Sequence, residues 1–371
     1  MKPIVQPVWK PTASCIWNSF RNSGKRHLLL TGSHNIGKTT LLAALFPSKL
    51  PGITTWATPY HSVMLQDNLT LQTVQIGQYE SIGDSGRMLL CSDGFDSLGI
   101  PAICRCLESS CEWVSIDEIG FLESGLTEYQ AAVRKLFDQK HVAAVLRKQS
   151  LPFLDELRSR QDVFLVDLDE PYSSIGCVIM ASGLGKRFGS NKIMADFDGR
   201  PMLQQILDAT DGIFAKRIVV TRHTEVADYC KQHGVSFLLH ELPFRSDTVR
   251  LGLQQMTDTI GCIFCASDQP LLQRETLAAL ALSFQNGSSY IWRFAYDGIP
   301  AAPVLFPQWC YSQLLDLPEG KGGAYVAKQY PADVHLFPVF DPYALTDADT
   351  PETLEKLLSV YLQRKGAEND P

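Results

Sequence analysis

The sequence predicts an α/β protein of two three-layer domains, each a mostly parallel sheet covered by helices on both faces. Three observations predict it. The 371-residue chain exceeds one ordinary domain, which runs to roughly 100–200 residues. A short apolar run, a glycine loop and an apolar helical stretch occur in succession twice. The first instance is HLLLT (27–31) running into GSHNIGKTT and TLLAALF; the second is IGCVIM (175–180) running into ASGLGKRFG. Strand-like runs then alternate with helical patterns through both halves.

In the first half the strand candidates after 27–31 are 88–91, 113–116, 142–146 and 163–166, with a helix expected over 127–138. In the second they are 217–221, 236–239 and 260–266, with a helix over 274–284. The acidic, Pro- and Ser-containing end of VFLVDLDEPYSS places the boundary at 171–174. The expected organisation is a lead-in of residues 1–25, domains over 26–171 and 172–362, and a polar tail (363–371) that frays. The lead-in carries Trp9 and Trp17 with no clear period.

Hydrophobic residues make up 45% and charged residues 20%, which excludes disorder for most of the chain. A net charge of −7 argues against a nucleic-acid-binding protein, which carries a basic domain or stripe. No apolar stretch approaches the ~18 residues of a membrane span. The N-terminal MKPIVQPVWKPTAS has prolines where a signal peptide needs an apolar run. The expectation is a cytoplasmic protein whose 10 cysteines stay reduced. Cys262 and Cys265 lie three apart on an expected strand, point to opposite faces and cannot share a metal. Cys104, Cys106 and Cys111 lack a second zinc-spaced pair, and both groups read as buried thiols.

Gly32, Gly37, Lys38 and Thr39 fit G-x-x-x-x-G-K-[ST] between a strand and a helix. The loop's N–H groups, Asn35 and Thr40 among its residues, converge on a phosphate at a helix N-terminus. Lys38 reaches the outer phosphates and the Thr39 hydroxyl ligates magnesium. In WVSIDEIG, Asp117 would hold that metal through water, while Glu118 orients or deprotonates the attacking water. The alternative for this acidic pair is a helix N-terminal cap. Arg147 and Lys148 follow an apolar strand and suit either developing phosphate charge or a solvated loop.

MASGLGKRFGSNKIM asks for different chemistry. Ala181, Ser182, Gly183 and Gly185 let a triphosphate approach the backbone. Lys186, Arg187 and Lys192 suit a pyrophosphate leaving group, on whose oxygens charge builds. The competing dinucleotide motif G-x-G-x-x-G fails at its third glycine, which is Phe188. Asp268 in ASDQP and Asp347 in LTDADTPETL can together hold one magnesium ion, ahead of a final helix capped by Thr350 or Asp349. Read in isolation, they are a turn and a helix start.

On TGSHNIGKTT, GITT (52–55), IDEIGFLE (116–123) and the strand before Arg147, residues 26–170 resemble the THEP1-type P-loop nucleoside-triphosphatases. That resemblance implies magnesium-dependent hydrolysis of nucleoside triphosphates, ATP or GTP at this site. On ASGLGKRFGSNK (181–192), GRPML (199–203), SDTVRLGL (246–253), SDQPLL (267–272), PVLF (303–306), EGKGG (319–323) and DADTPE (347–352), residues 175–360 resemble the MobA-like nucleotidyltransferases. Within that superfamily they look most like the molybdenum cofactor cytidylyltransferases.

The second resemblance implies a Rossmann-like fold and transfer of a nucleotidyl group to the terminal phosphate of a molybdopterin-type cofactor. In it, Arg187 and Lys192 bind the triphosphate, Asp268 and Asp347 the metal, and EGKGG lies on the cofactor side. Guanylyl enzymes of the superfamily tend to carry a second glycine where Ser182 stands, which points to CTP. A molybdoenzyme client is the implied recipient of the product. The rival readings are a sugar-phosphate or isoprenoid-precursor nucleotidyltransferase, and a P-loop half that senses nucleotide without turnover.

Overall fold

A computed structural model describes residues 8–82, 85–172, 174–183, 188 and 191–369. The chain divides into two compact units between Pro171 and Tyr172, and residues 8–11 group with the second.

The first unit is built on an eight-stranded sheet. Its strands are β1 (His27–Thr31), β2 (Gly52–Ala57), β3 (Ser62–Asp67), β4 (Thr73–Ile82), β5 (Ser85–Leu90), β6 (Trp113–Ile119), β7 (His141–Leu146) and β8 (Val163–Asp167). They lie in the order β5-β4-β3-β2-β6-β7-β1-β8. The segment from β2 through β6, β7 and β1 to β8 is parallel, and β2 to β5 form an antiparallel extension. β1 is buried at every position, as a central parallel strand must be. The extension was largely illegible in the sequence because its strands are half exposed and mix polar with apolar residues.

Helix Ala13–Asn22 gives the lead-in a structure that no period announced. Thr12 caps it, its Oγ1 accepting from the Cys15 amide at 3.1 Å. Trp17 and Phe20 pack against Phe46, Trp113 and Phe164, with ring centroids 5.0–6.1 Å apart within the group. Each such aromatic pair adds roughly 0.5–1.5 kcal/mol beyond its buried area.

The second unit carries β9 (Ile175–Ala181), a two-stranded ribbon of β10 (Asp196–Phe197) and β11 (Arg200–Pro201), β12 (Lys216–Thr221), β13 (Phe237–Leu239), β14 (Gly261–Ala266), β15 (Ile291–Tyr296), β16 (Ile299–Pro307) and β17 (Val334–Pro338). The main sheet runs β13-β12-β9-β14-β16-β15-β17. β13, β12, β9 and β14 are parallel; β16 runs antiparallel to both of its neighbours, and β17 is parallel to β15. The C-terminal ends of β9, β12 and β14 therefore open at one edge, where an α/β sheet places its ligands.

Two details depart from expectation. The last helix, Pro351–Asn369, extends into the stretch expected to fray. Arg364 holds it to Asp341 through a two-pronged pair (2.6 and 2.8 Å), and Lys365 reaches Asp198 at 2.6 Å. Thr350 caps this helix, accepting from the Thr353 amide at 3.2 Å. Of the cysteines expected to be buried, Cys104 and Cys111 are exposed, because Cys104 faces out of helix Ile100–Glu108 and Cys111 lies in the turn after it. Cys262 and Cys265 are buried on β14, where burial pushes both thiols well above their usual range. Among the described residues no helix is long and apolar enough to cross a membrane.

Candidate active sites

At the end of β1 the chain turns through Gly32, the left-handed Asn35 (φ 60°) and Gly37 (φ 101°) into helix Lys38–Leu45. Gly37 is the helix N-cap in a conformation that L side chains rarely adopt, which is why glycine stands there. The Lys38 ammonium is buried and donates to the loop's own carbonyls, Gly32 O at 3.1 Å and Ser33 O at 2.9 Å. Asn35, Thr39 and Thr40 are exposed at the helix entrance. Ser33 ties the loop to Asp169 through its amide (2.9 Å) and hydroxyl (2.8 Å).

The Thr39 hydroxyl donates to Asp117 Oδ1 at 3.2 Å, bringing the two expected metal ligands together. Burial pushes the Asp117 carboxyl up, partly offset by that hydrogen bond. This is an oxygen-only donor pair of the kind a hard cation takes. Thr55 of the GITT segment accepts from the Glu118 amide at 3.0 Å and so places the end of β6. The Glu118 carboxylate pairs with Arg147 Nε at 2.9 Å, and the Arg147 guanidinium lies over the Phe121 ring. Lys148 is held by Asp167 (2.8 Å) and Asp169 (2.9 Å). Of the two cations, Arg147 is the one at the acidic pair. Glu123, which no sequence argument singled out, is buried and accepts from the Gly120 amide at 2.8 Å. Burial raises its carboxyl to about 7.

In the second unit a cavity of about 500 Å³ opens at the edge formed by the ends of β9, β12 and β14. Ser182, Gly183, Asp268, Asp347 and Asp349 line it, and Arg222 and Arg245 add positive charge. The turn Lys192–Met194 is capped by Asn191, whose Oδ1 accepts from the Ile193 amide at 3.3 Å. It presents Lys192 Nζ to Asp268 Oδ2 at 2.6 Å and Asp349 Oδ1 at 2.7 Å. Burial works against that charge, but the two hydrogen bonds outweigh it and hold the ammonium above its usual value. Burial, then the neighbouring Asp268 carboxylate, push the Asp347 carboxyl up.

The chain segments are tied together locally. The Ala348 amide donates to the Asp268 carbonyl at 2.8 Å. Phe197, Met202, Leu271, Ala348 and Leu354 form a small apolar cluster joining the GRPML, SDQPLL and DADTPE segments. An ideal Cβ on Gly322 would lie 3.0 Å from Arg245 Nε, so the EGKGG loop runs beside the cavity rim.

The structure thus brings Ala181, Ser182, Gly183, Lys192, Asp268 and Asp347 to one sheet edge. Gly185, Lys186 and Arg187 lie outside the described residues. Sequence reasoning did not single out Asp349 as a partner of Lys192, nor Arg222, Arg245, Thr248 and the two histidines of the glycine loop. His223 Nε2 lies 2.9 Å from Gly183 O, and His240 Nε2 lies 2.9 Å from Ser182 Oγ. Thr248 Oγ1 is buried without a hydrogen-bond partner at the cavity wall. The only available signal for it was its place in SDTVRLGL. Among the described residues no three or more His, Cys, Asp or Glu side chains surround a common metal position. An ion at either acidic pair would draw its remaining donors from phosphate and water.

Residues 60–172 match the NTPase family, and residues 177–334 match the MobA-like NTP transferase domain. The chain joins a THEP1-like NTPase domain to a MobA-like nucleotidyltransferase domain. It is 24% identical over 156 residues to a nucleoside-triphosphatase THEP1 of Thermotoga, covering 38% of this chain and 86% of that one. It is 26% identical over 111 residues to a probable molybdenum cofactor guanylyltransferase of Natranaerobius thermophilus, covering 29% of this chain and 53% of the relative. A solved nucleotidyl transferase from Methanothermobacter superposes with a TM-score of 0.45 at 17% identity, over 52% of this chain and 99% of that structure.

Proposed function

We propose that residues 172–362 transfer a cytidylyl group from CTP to the terminal phosphate of a molybdopterin-type cofactor and release pyrophosphate. The observation that carries this reading is the cavity in which Asp268 and Asp347 face a glycine loop and a buried lysine. An acceptor phosphate oxygen attacks the α-phosphorus, forming the new P–O bond as the bond to the β-phosphate oxygen breaks. The acceptor is already largely ionised near neutral pH, so the reaction needs no general base. Positioning and charge neutralisation supply the catalysis.

Each residue has a role in this scheme. Ser182 and Gly183 bring the backbone up to the nucleotide. Lys192, with Arg187 and Lys186, binds the triphosphate and offsets charge on the departing pyrophosphate. Asp268 and Asp347 would hold magnesium; their donor set fits because both carboxylates line one cavity, where burial and the neighbouring Asp268 charge push the Asp347 carboxyl up. Bound there, the ion would neutralise phosphate charge.

The relative's guanylyltransferase name supports the molybdopterin-type acceptor and makes GTP the second reading for the base. CTP is preferred here because Ser182 puts a side chain where a guanylyl site carries glycine. Residues 26–171 would hydrolyse ATP or GTP on Lys38, Thr39, Asp117 and Glu118, with magnesium on Thr39 and Asp117, and so gate handover of the product to a molybdoenzyme client. The test is a pyrophosphate-release assay with the cofactor and each nucleoside triphosphate. CTP is expected to lead, with Ser182→Gly widening acceptance to GTP. Release that requires a sugar phosphate in place of the cofactor would overturn the acceptor.

A further inference from the structure

The Ser182 hydroxyl is surrounded by partners that leave it a single hydrogen-bonding capacity. A serine hydroxyl has one proton to donate and two lone pairs. Its proton goes to the Val220 carbonyl, 3.2 Å away on β12. One lone pair faces His240 Nε2 at 2.9 Å. The direction of that bond is set on the other side of the ring, where the Leu242 amide donates to His240 Nδ1 at 3.2 Å. With Nδ1 accepting, the neutral ring carries its proton on Nε2 and donates to Ser182. Burial, then the Arg222 guanidinium, hold the ring below the ordinary imidazole value, which keeps it neutral.

His240 is itself fixed. It is 9% exposed, and its amide donates to the Thr221 carbonyl at 3.0 Å, while the Thr221 hydroxyl donates to the Ala181 carbonyl at 2.9 Å. These bonds stitch the end of β9 to the end of β12. What Ser182 Oγ has left, at the wall of the cavity, is one lone pair.

We propose that His240 is a specificity-determining positioning residue: it makes Ser182 an acceptor-only group, so the site favours nucleotides whose base edge carries an exocyclic amino group. This rests on the reading above that Ser182 faces the base. An amino group donates to the remaining lone pair, whereas a carbonyl oxygen in that place sets two acceptors against each other and leaves both unpaired. CTP is therefore favoured over UTP; if the base is guanine, GTP is favoured over XTP, which carries a 2-oxo group in place of the 2-amino group. Without His240 the hydroxyl is free to turn from Val220 and donate to a carbonyl, and the discrimination disappears.

The experiment measures kcat/KM for pyrophosphate release, with the molybdopterin-type cofactor as acceptor, for the CTP/UTP and GTP/XTP pairs. Wild type is compared with His240→Phe, His240→Gln and Ser182→Ala. Wild type is expected to favour the amino-bearing member of the accepted pair by about ten- to a hundredfold. His240→Gln keeps that ratio, because its amide nitrogen reaches the place of Nε2. His240→Phe brings the ratio close to one, through a lower KM for UTP or XTP with kcat for CTP or GTP little changed. Ser182→Ala, which leaves His240 and the fold in place, also brings it close to one.

A wild-type ratio near one overturns the proposal, as does a wild-type ratio retained in His240→Phe or Ser182→Ala. A wild type that releases pyrophosphate from none of the four nucleotides refutes the transfer reading instead.

Discussion

Lys192 Nζ lies 2.6 Å from Asp268 Oδ2, so the second site carries its own cation against the carboxylate expected to hold a metal. The lysine is buried, and Asp349 completes its coordination at 2.7 Å. The ammonium and a divalent ion therefore draw on the same charge. On the proposed reading, Lys192 passes from the carboxylates to the phosphates when nucleotide binds. This arrangement accounts for a lysine kept in a mostly buried position at a site for a polyanion.

Lys192→Met removes the resident cation and leaves Asp268, Asp347 and Asp349 facing one another. Nucleotidyl transfer should fall by about a hundredfold or more, the usual cost of losing one such transition-state contact. Nucleotide-free protein should bind manganese more tightly than wild type, because no ammonium competes. Calorimetric titration with manganese checks this; unchanged or weaker binding would contradict it.

On the proposed reading, Asp117 and Lys38 of the first unit act on one nucleotide. Asp117→Ala, Lys38→Ala and Glu118→Gln should each lower phosphate release about a hundredfold or more. Pyrophosphate release by the second unit should stay within a few-fold of wild type. If phosphate release survives in all three variants, the P-loop half is a sensing module and not a hydrolase.

The buried Glu123 carboxyl supplies a pH dependence whose sign can be worked out. Burial raises it from 4.5 to about 7, so the folded state binds the proton more tightly than the unfolded chain. Its contribution to stability is fully present below pH 4.5 and is lost as pH rises through about 7. Glu123→Gln keeps an acceptor for the Gly120 amide and has no charge to bury. The variant's stability relative to wild type should therefore rise between pH 5 and 8, by on the order of 3 kcal/mol. Denaturant melts of both proteins across that range measure it; parallel curves would refute the assignment.

Gly52 tests the register of β2 on β6. It has φ 151°, and an ideal Cβ there would lie 1.8 Å from the Ser115 carbonyl oxygen. Gly52→Ala should cost about 3 kcal/mol or more, because backbone and not a flexible side chain must move. Thermal melting followed by circular dichroism is sufficient to see it.

How much of this was legible depended on where each signal resides. Both glycine loops were readable because a strand, a tight turn and a helix N-terminus follow one another in the chain, and β1, β6, β7 and β14 because buried parallel strands are nearly continuous apolar runs. β3 and β4 were not, since Val63, Met64, Gln75 and Gln78 alternate only loosely in the half-exposed antiparallel extension. Asp268 and Asp347 could be paired from their loops, but the Lys192–Asp349 contact joins residues 157 apart and exists only once the sheet has formed. His240 was silent for the same reason: its importance lies in what Ser182 and Leu242 do to its two nitrogens, which no spacing encodes.

The central claim is that one chain carries two nucleotide sites with different chemistry. Its most direct test is the simultaneous measurement of phosphate and pyrophosphate release by wild type, Lys38→Ala and Asp268→Ala in the presence of the cofactor. Lys38→Ala is expected to lose only phosphate release and Asp268→Ala only pyrophosphate release. Pyrophosphate release by Asp268→Ala at the wild-type rate, or loss of both products in either variant, would contradict two separate sites.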